Sequence, residues 1–411
     1  MGARSRLSTA PLEICRTALA LDWVLLENGR VRPPLANPRC EPIVGIGGAA
    51  WLGVAHFVVD AVCVTSVLRA SPPSDGITYS ALAFVLGYDL LAFAGQVPCG
   101  WMIDRLCLRR GAAVAGLILT TLTLLLGRDG GVPVLVAAGV GNALFHVGAG
   151  AMTLAGSNGH AAPAGVFVAP GALGLGLGVI LGRKLSAVGV WFFYPAIIVS
   201  LLAVLLVSTR SSAVTGGPAG PSSRPLPELL VIAVLLSLSV AVRSLVGTVG
   251  CDGCPRSFFL LVAIPAAAFF GKLSGGFLAD RLGWIDVSTV ALVASAPLLA
   301  FSQGDLWIAL PGLLIFQMTM PVTLVAMFRL MPGRPALGFG ILCLALVGGT
   351  LPAYLPGGFR PQGIALLLLV LGSAVALFLA LRMLLSAPRP QATLAAAGTE
   401  PSPSTLCRGN P

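Results

Sequence analysis

Gly100-Trp-Met-Ile-Asp104-Arg105-Leu-Cys-Leu-Arg109-Arg110 closes one long apolar stretch and opens another. A shortened copy, Gly276-Phe-Leu-Ala-Asp280-Arg281-Leu-Gly283, follows an apolar stretch in the second part of the chain. In each copy a glycine stands one helical turn ahead of an adjacent Asp and Arg. Glycine lets neighbouring helices touch closely. The Asp can pair with Arg or cap the start of a helix in the neighbouring half, latching one arrangement. One such run would be a local detail. Two, at equivalent places, describe a membrane unit written twice.

Composition supports a lipid setting. The chain has 411 residues, 56% of them hydrophobic and 10% charged, against about 25% charged in a soluble domain. Mean hydropathy is +0.94. The 51 glycines and 31 prolines also fit, since both are commoner in membrane-spanning helices than in soluble ones. The net charge of +10 is almost entirely arginine, Lys184 and Lys272 being the lysines. It is spread loop by loop rather than gathered on one patch, which excludes a nucleic-acid partner. Most of the nine cysteines, such as Cys63, Cys99 and Cys343, stand alone in apolar segments as small hydrophobes. Cys251-Asp-Gly-Cys254 is the close pair, and its spacing allows either a local disulfide or two inert thiols.

With about 20 apolar residues needed per span, twelve helices are expected near 43–68, 78–102, 111–127, 132–153, 164–182, 187–208, 228–250, 257–279, 285–302, 305–328, 335–354 and 362–386. Spans of this length must be helical, because backbone amides in lipid have to be satisfied within the segment. The chain thus divides into an extension at 1–42, a six-helix half at 43–208, a Ser/Gly/Pro-rich linker at 209–227, a second half at 228–386 and a low-complexity tail at 387–411. Most of the 25 basic residues fall on one side if the N-terminus is cytoplasmic. The expectation is a multi-pass protein of the cell (plasma or inner) membrane with both termini inside.

Twelve spans in two halves, with a Gly-x-x-x-Asp-Arg-x-x-x-Arg-Arg loop after the second, resemble the major facilitator superfamily. The resemblance implies an all-α membrane fold of two pseudo-symmetric six-helix halves, alternating access, a monomer, and gating loops on the cytoplasmic face. It carries Gly100, Asp104, Arg105, Arg109, Arg110, Gly276, Asp280 and Arg281 into the gating role. Cys107 stands where a glycine is usual, and the second copy keeps that glycine as Gly283 but lacks the trailing basic pair. Three further runs, His56-Phe-Val-Val-Asp60, Tyr88-Asp89-Leu-Leu-Ala-Phe-Ala and Gly141-Asn142-Ala-Leu-Phe145-His146, resemble the fosmidomycin-resistance branch, a group of drug exporters. That branch tends to carry Pro-Glu after the fourth-span histidine, where this chain has Val147-Gly148.

An ionisable group at mid-bilayer costs about 2.5–3.5 kcal/mol on insertion scales, so one that persists has a partner or a wet cavity. His56 and Asp60 are four apart, which stacks them on one helix face, and Asn142 and His146 repeat that spacing. Asp89, Arg243 and Gln317 fall inside other spans. These seven are the expected proton-coupling and solute-cavity residues. The structural alternative is that Asp60 and Asp89 simply neutralise Arg243 and Lys272. Lys272, placed near a helix end, can snorkel to the interface. Gly174, Gly178 and Gly182 form a row of small residues suited to tight helix packing. His160 is expected in a short, solvated loop.

No His-Glu-x-x-His, Gly-x-Ser-x-Gly or recognisable cluster of metal ligands is present, so the sequence names no catalytic residue, metal or cofactor. An enzyme is excluded on that ground. The leading expectation is proton-driven export of a small organic compound or antibiotic. Uptake of a small metabolite by proton symport, and a non-transporting membrane sensor, are the alternatives. Arg243 and two histidines would suit an anionic or phosphonate-like compound.

Overall fold

In a computed structural model of the full chain, the described residues are 24–25, 30–32, 44–72, 79–184, 188–207, 224–250, 254, 257–355 and 357–386. Twelve membrane helices account for nearly all of them. The first half comprises α1 (Ile46–Ala70), α2 (Tyr79–Asp89, a π-helical turn Leu90–Ala94, then Gln96–Leu106), α3 (Arg109–Leu126), α4 (Gly131–Gly156), α5 (Ala162–Lys184) and α6 (Phe193–Leu206). The second comprises α7 (Leu226–Val249), α8 (Phe258–Leu282), α9 (Trp284–Ala300), α10 (Leu306–Gln317, then Met320–Leu330), α11 (Pro335–Thr350) and α12 (Gly363–Leu385). Eleven are long and apolar enough to cross a membrane, and α9 is an apolar helix of 17 residues. The architecture is therefore the expected all-α bundle of two six-helix halves.

Element bounds shift by a few residues from the sequence expectation. The sixth span begins as a 3₁₀ turn, Val188–Phe192, and α2 continues to Leu106, so the Asp-Arg run is helical. The extension expected at 1–42 contributes two short strands, Val24–Leu25 and Arg30–Arg32, which pair antiparallel, the second also pairing with Arg224–Pro225. The tail at 387–411, most of the linker and Cys251 lie outside the described residues. Cys254 is buried as a thiol.

Helix ends buried in or near lipid need partners for their free amides and carbonyls. Asp305 accepts from the Trp307 amide at 2.8 Å at the start of α10, and Ser257 accepts from Leu260 at the start of α8. At the end of α12, Arg224 donates to the Met383, Leu384 and Ser386 carbonyls at 2.8–3.0 Å and pairs with Glu228 one turn on. One arginine thus serves three orphaned acceptors at the negative end of a helix. Trp191, Phe192, Phe258, Phe259 and Trp307 are exposed at the starts of the sixth, eighth and tenth spans. They form an aromatic belt on the face opposite the Asp-Arg loops.

Small residues set the helix spacing. On α5, Gly174 meets Phe57, Gly178 meets Ala61 and Val64, and Gly182 meets Leu68, one turn of α1 after another. Its other face carries Gly165 against α8 near Lys272 and Gly276, and Gly176 against Pro265. The fifth helix is therefore smooth on two sides, towards α1 in its own half and α8 in the other. A Cβ at Gly174 would run into the Phe57 carbonyl, whereas Gly372 on α12 faces open space. Gly174→Ala is expected to destabilise the bundle by about 1–3 kcal/mol through overpacking. Gly372→Ala should be neutral or stabilising by up to about 1 kcal/mol, as glycine is a poor residue inside a helix. Thermal unfolding of the two variants in detergent checks the contrast, and equal midpoints would contradict it.

Candidate functional site

Two neighbouring constellations lie in the middle of the bundle, and a latch closes one face. The latch is built from the repeated run. Asp104, on the last turn of α2, accepts the backbone amides of Ala336 at 3.3 Å and Leu337 at 2.8 Å, the first turn of α11. Asp280, at the end of α8, accepts from Ala161 at 2.7 Å and Ala162 at 2.8 Å at the start of α5. Each carboxylate caps a helix of the opposite half, where free amides and the helix dipole favour negative charge. Gly100 and Gly276 make the approach possible, as a Cβ on either would strike the backbone at Ala336 or Ala161.

The basic residues divide unequally. Arg109 is buried 3.7 Å from Asp104, and Arg110 donates to the Val207 carbonyl at 2.8 Å, at the end of α6. Arg105 instead lies over Trp101 and Arg281 is exposed, so neither joins the capping carboxylate as the repeat implied. The second copy recruits a substitute. Arg329 donates to the Gly159 carbonyl at 2.9 Å and stacks on Trp284, whose indole donates to Asp280 at 3.3 Å. His160 is exposed, 3.9 Å from Asp280. Cys107 has φ 57° and Gly283 φ 103°, which explains why glycine suits this position after the run.

Behind the latch, between the halves, is a cavity of about 260 Å³. From the first half it is lined by Leu86, Asp89, Phe93 and Leu175, and from the second by Arg243, Lys272, Gln317, Met320 and Thr350. Local breaks in helix geometry put polar groups there. The π turn after Asp89 carries one extra residue, its closing bond running from the Gly95 amide to the Leu90 carbonyl at 3.1 Å. In α10 the helix stops at Gln317 and restarts at Met320, where Pro321 lacks an amide hydrogen. That break offers Arg243 the Thr319 hydroxyl at 3.0 Å, the Thr323 hydroxyl at 3.4 Å and the Met320 sulfur at 2.8 Å. Among the described residues, its Nε and the Gln317 Oε1 are buried without hydrogen-bond partners.

The expected neutralising pairs do not form. Among the described residues Asp89 and Lys272 have no ion-pair partner, and Arg243 is held by hydroxyls and a thioether rather than a carboxylate. Lys272 is not near a helix end. It sits mid-way along α8 and lines the cavity, because α8 runs on to Leu282. Sequence reasoning set it near a helix end, although fourteen apolar or small residues precede it in the helix.

Asp60 belongs to the second constellation. His56 and Asp60 on α1 meet Asn142 and His146 on α4, all buried. Asp60 is 3.1 Å from His56 Nε2 and 3.5 Å from His146 Nε2, and accepts the Asn142 amide at 2.9 Å. The imidazoles are 2.7 Å apart through their Nε2 atoms, with Nδ1 of His56 donating to the Phe167 carbonyl and Nδ1 of His146 to the Asn142 carbonyl. Gly171 leaves room for the His56 ring, which a Cβ there would strike. The sequence reading found both i,i+4 pairs but no metal-ligand cluster. The fold brings one donor atom each of His56, Asp60 and His146 within 4.8 Å of one another. At Gly148, where the resembling branch carries a carboxylate, the helix instead meets the α3 backbone at Arg109 and Ala113.

Known structures share this fold. The human organic anion transporter MFSD10 (TETRAN) superposes with a TM-score of 0.58 at 16% identity, over 82% of this chain and 99% of that one. The fold is that of the major facilitator transporters. The E. coli fucose:proton symporter FucP (N162A) matches this facilitator fold at 0.51 and 13% identity, over 83% and 99% of the two chains. A bacterial homologue of the iron transporter ferroportin, in an outward-facing state with soaked iron, matches at 0.51 and 18% identity, over 82% and 97%. No protein-family model matches the chain, and no curated protein matches it.

The cross-half caps give a direct expectation. Removing a helix cap costs about 0.5–2 kcal/mol, or roughly 2–30-fold in local opening. Asp104→Ala should speed amide hydrogen exchange by that factor in the first turn of α11, and Asp280→Ala in the first turn of α5. Unchanged exchange there in both variants would show that the carboxylates do not hold the face shut.

Proposed function

We propose that the chain is a proton-coupled secondary transporter that moves a small organic anion by alternating access. The observation that carries this is the central cavity, with two cationic side chains from one half and one carboxylate from the other, none in an ion pair among the described residues. A pocket of net positive character between two halves that share a reciprocal latch is suited to hold an anion and to be exposed to either side in turn. The facilitator fold, seen in an organic anion transporter and in a proton symporter, supports the same reading. The latched face is taken as cytoplasmic because Arg105, Arg109, Arg110, Arg281, Arg329, Arg334 and Arg382 cluster at helix ends there. The cavity would then communicate with the outside when this latch is closed, in the cell (plasma or inner) membrane.

Asp89 is the proton site we favour. It faces the cavity without an ion-pair partner among the described residues, whereas Asp60 is engaged by two imidazoles and an amide. Charge accounting then bears on direction. A proton on Asp89 removes the negative charge that competes with the solute for Arg243 and Lys272, so proton and anion load together. Joint loading is the signature of symport, and an inward proton gradient would drive uptake. Export by antiport, the leading expectation from sequence, remains the second reading. The runs around His56, Asp89 and His146 favour it, because they resemble a drug-exporting branch.

Reconstitution in proteoliposomes with a pH dye in the lumen separates these readings. Addition of an anionic phosphonate outside should acidify the lumen under symport and alkalinise it under antiport. Asp89→Asn should abolish the proton signal. Arg243→Gln should raise the half-saturating anion concentration by roughly 10–100-fold, the worth of about 1.5–3 kcal/mol for a hydrogen bond to a charged group. Absence of any solute-triggered proton movement, across carboxylates, phosphonates and phosphates, would sink the transport reading in favour of a membrane sensor.

A further inference from the structure

We propose that His56, Asp60 and His146 form a binding site for one divalent transition-metal ion of the zinc, cobalt or iron(II) class. The inference starts from hydrogen-bond accounting. A backbone carbonyl can only accept, so the 2.9 Å contact from His56 Nδ1 to Phe167 and the 2.8 Å contact from His146 Nδ1 to Asn142 fix the hydrogen of each ring on Nδ1. The two Nε2 lone pairs therefore point at one another across 2.7 Å. Two lone pairs that close require a positive particle between them, either a proton or a metal ion.

Geometry favours an ion-binding site. A tetrahedral centre with bonds of about 2.0–2.1 Å holds its ligand atoms roughly 3.3 Å apart. The Nε2 atoms are 2.7 Å apart, and Asp60 meets them through different oxygens, Oδ2 at 3.1 Å from His56 and Oδ1 at 3.5 Å from His146. A small separation of the imidazoles and a turn of the carboxylate bring one atom of each within range of one ion. The carbonyl bonds on Nδ1 are the support that metal-ligating imidazoles characteristically have, since they set both tautomer and ring orientation. Two imidazoles and one carboxylate suit transition metals and disfavour magnesium and calcium, which take oxygen ligands. Asn142 supplies an independent sign. Among the described residues its Oδ1 is buried with no hydrogen-bond partner, while its Nδ2 donates to Asp60. A buried acceptor left over on a residue that bonds to the cluster is what a water held by the ion could satisfy. Phe145 and Phe167 pack against the imidazoles and shield the site.

Binding balances simply: the ion replaces the proton shared by the two Nε2 atoms, and that proton leaves to solvent. Three protein ligands leave a fourth position for water or a small anion. The site ties α1 to α4 within the first half and is independent of whether the cavity transports an anion.

The test uses the full chain in detergent, freed of purification tag and stripped with a chelator, titrated with Co²⁺. The expected result is one Co²⁺ per chain, with visible bands of a four- or five-coordinate site and no thiolate charge-transfer band. Zn²⁺ should displace it, and Mg²⁺ should not. Zn²⁺ should also raise the unfolding temperature of the unaltered protein, a readout that needs no variant to fold. His56→Ala and His146→Ala should each weaken Co²⁺ binding by at least about 100-fold, given that lesser, supporting contacts are already worth 10–100-fold. No saturable binding, a thiolate band, or affinity unchanged in both variants would overturn the assignment and leave the histidine pair holding only a proton.

Discussion

A carboxylate from each half holds the first amides of a helix in the other half, and the arrangement of the whole molecule follows from that exchange. Asp104 and Asp280 act at positions where a helix start offers free donors and a favourable dipole. Because the two caps are related by the internal repeat, each half gives one carboxylate and one helix start to the same face. The bonds are few, short and local, so they can be exchanged for water without disturbing either six-helix unit. Under the proposed alternating access, a latch of this kind would let two arrangements lie close in free energy.

Inside the bundle, polar groups line the cavity where regular helix geometry fails. The π turn beside Asp89, the break at Met318 and Thr319, and the smooth glycine faces of α5 each depart from an ideal apolar helix. Each departure frees or admits something a regular helix would not. The π turn shifts the helical register next to a cavity-facing carboxylate. The break gives a buried guanidinium two hydroxyls and a thioether. The glycine faces let α5 lie close to both α1 and α8, the contact that joins the halves beside the cavity.

How much of this was legible in the sequence depended on whether the deciding physics was local. Span number and length follow from apolar runs and the thickness of a bilayer, and so the twelve helices could be read directly. The partnership of His56 with Asp60, and of Asn142 with His146, follows from helical periodicity alone. Their convergence does not, because it depends on how α1 and α4 are rotated against each other. Lys272 was misjudged since the end of its helix was set too early, at 279 rather than Leu282. Arg329 was passed over because it lies outside the repeated run, although it stacks on Trp284, whose indole donates to Asp280. The short strands before α1 left no periodic signal, being only two and three residues long.

The clasp at Arg224 has a consequence for biogenesis. Its partner Glu228 is one turn away, but the carbonyls it serves lie 159 to 162 residues further along the chain. At a synthesis rate of about 5–20 residues per second, those carbonyls emerge roughly 10–30 s after the arginine does. During that interval the glutamate is its nearest counter-ion, which keeps the guanidinium from being stranded at the membrane surface. The second half is sealed as a ring of helices only when the last one is inserted, so its assembly ends where it began.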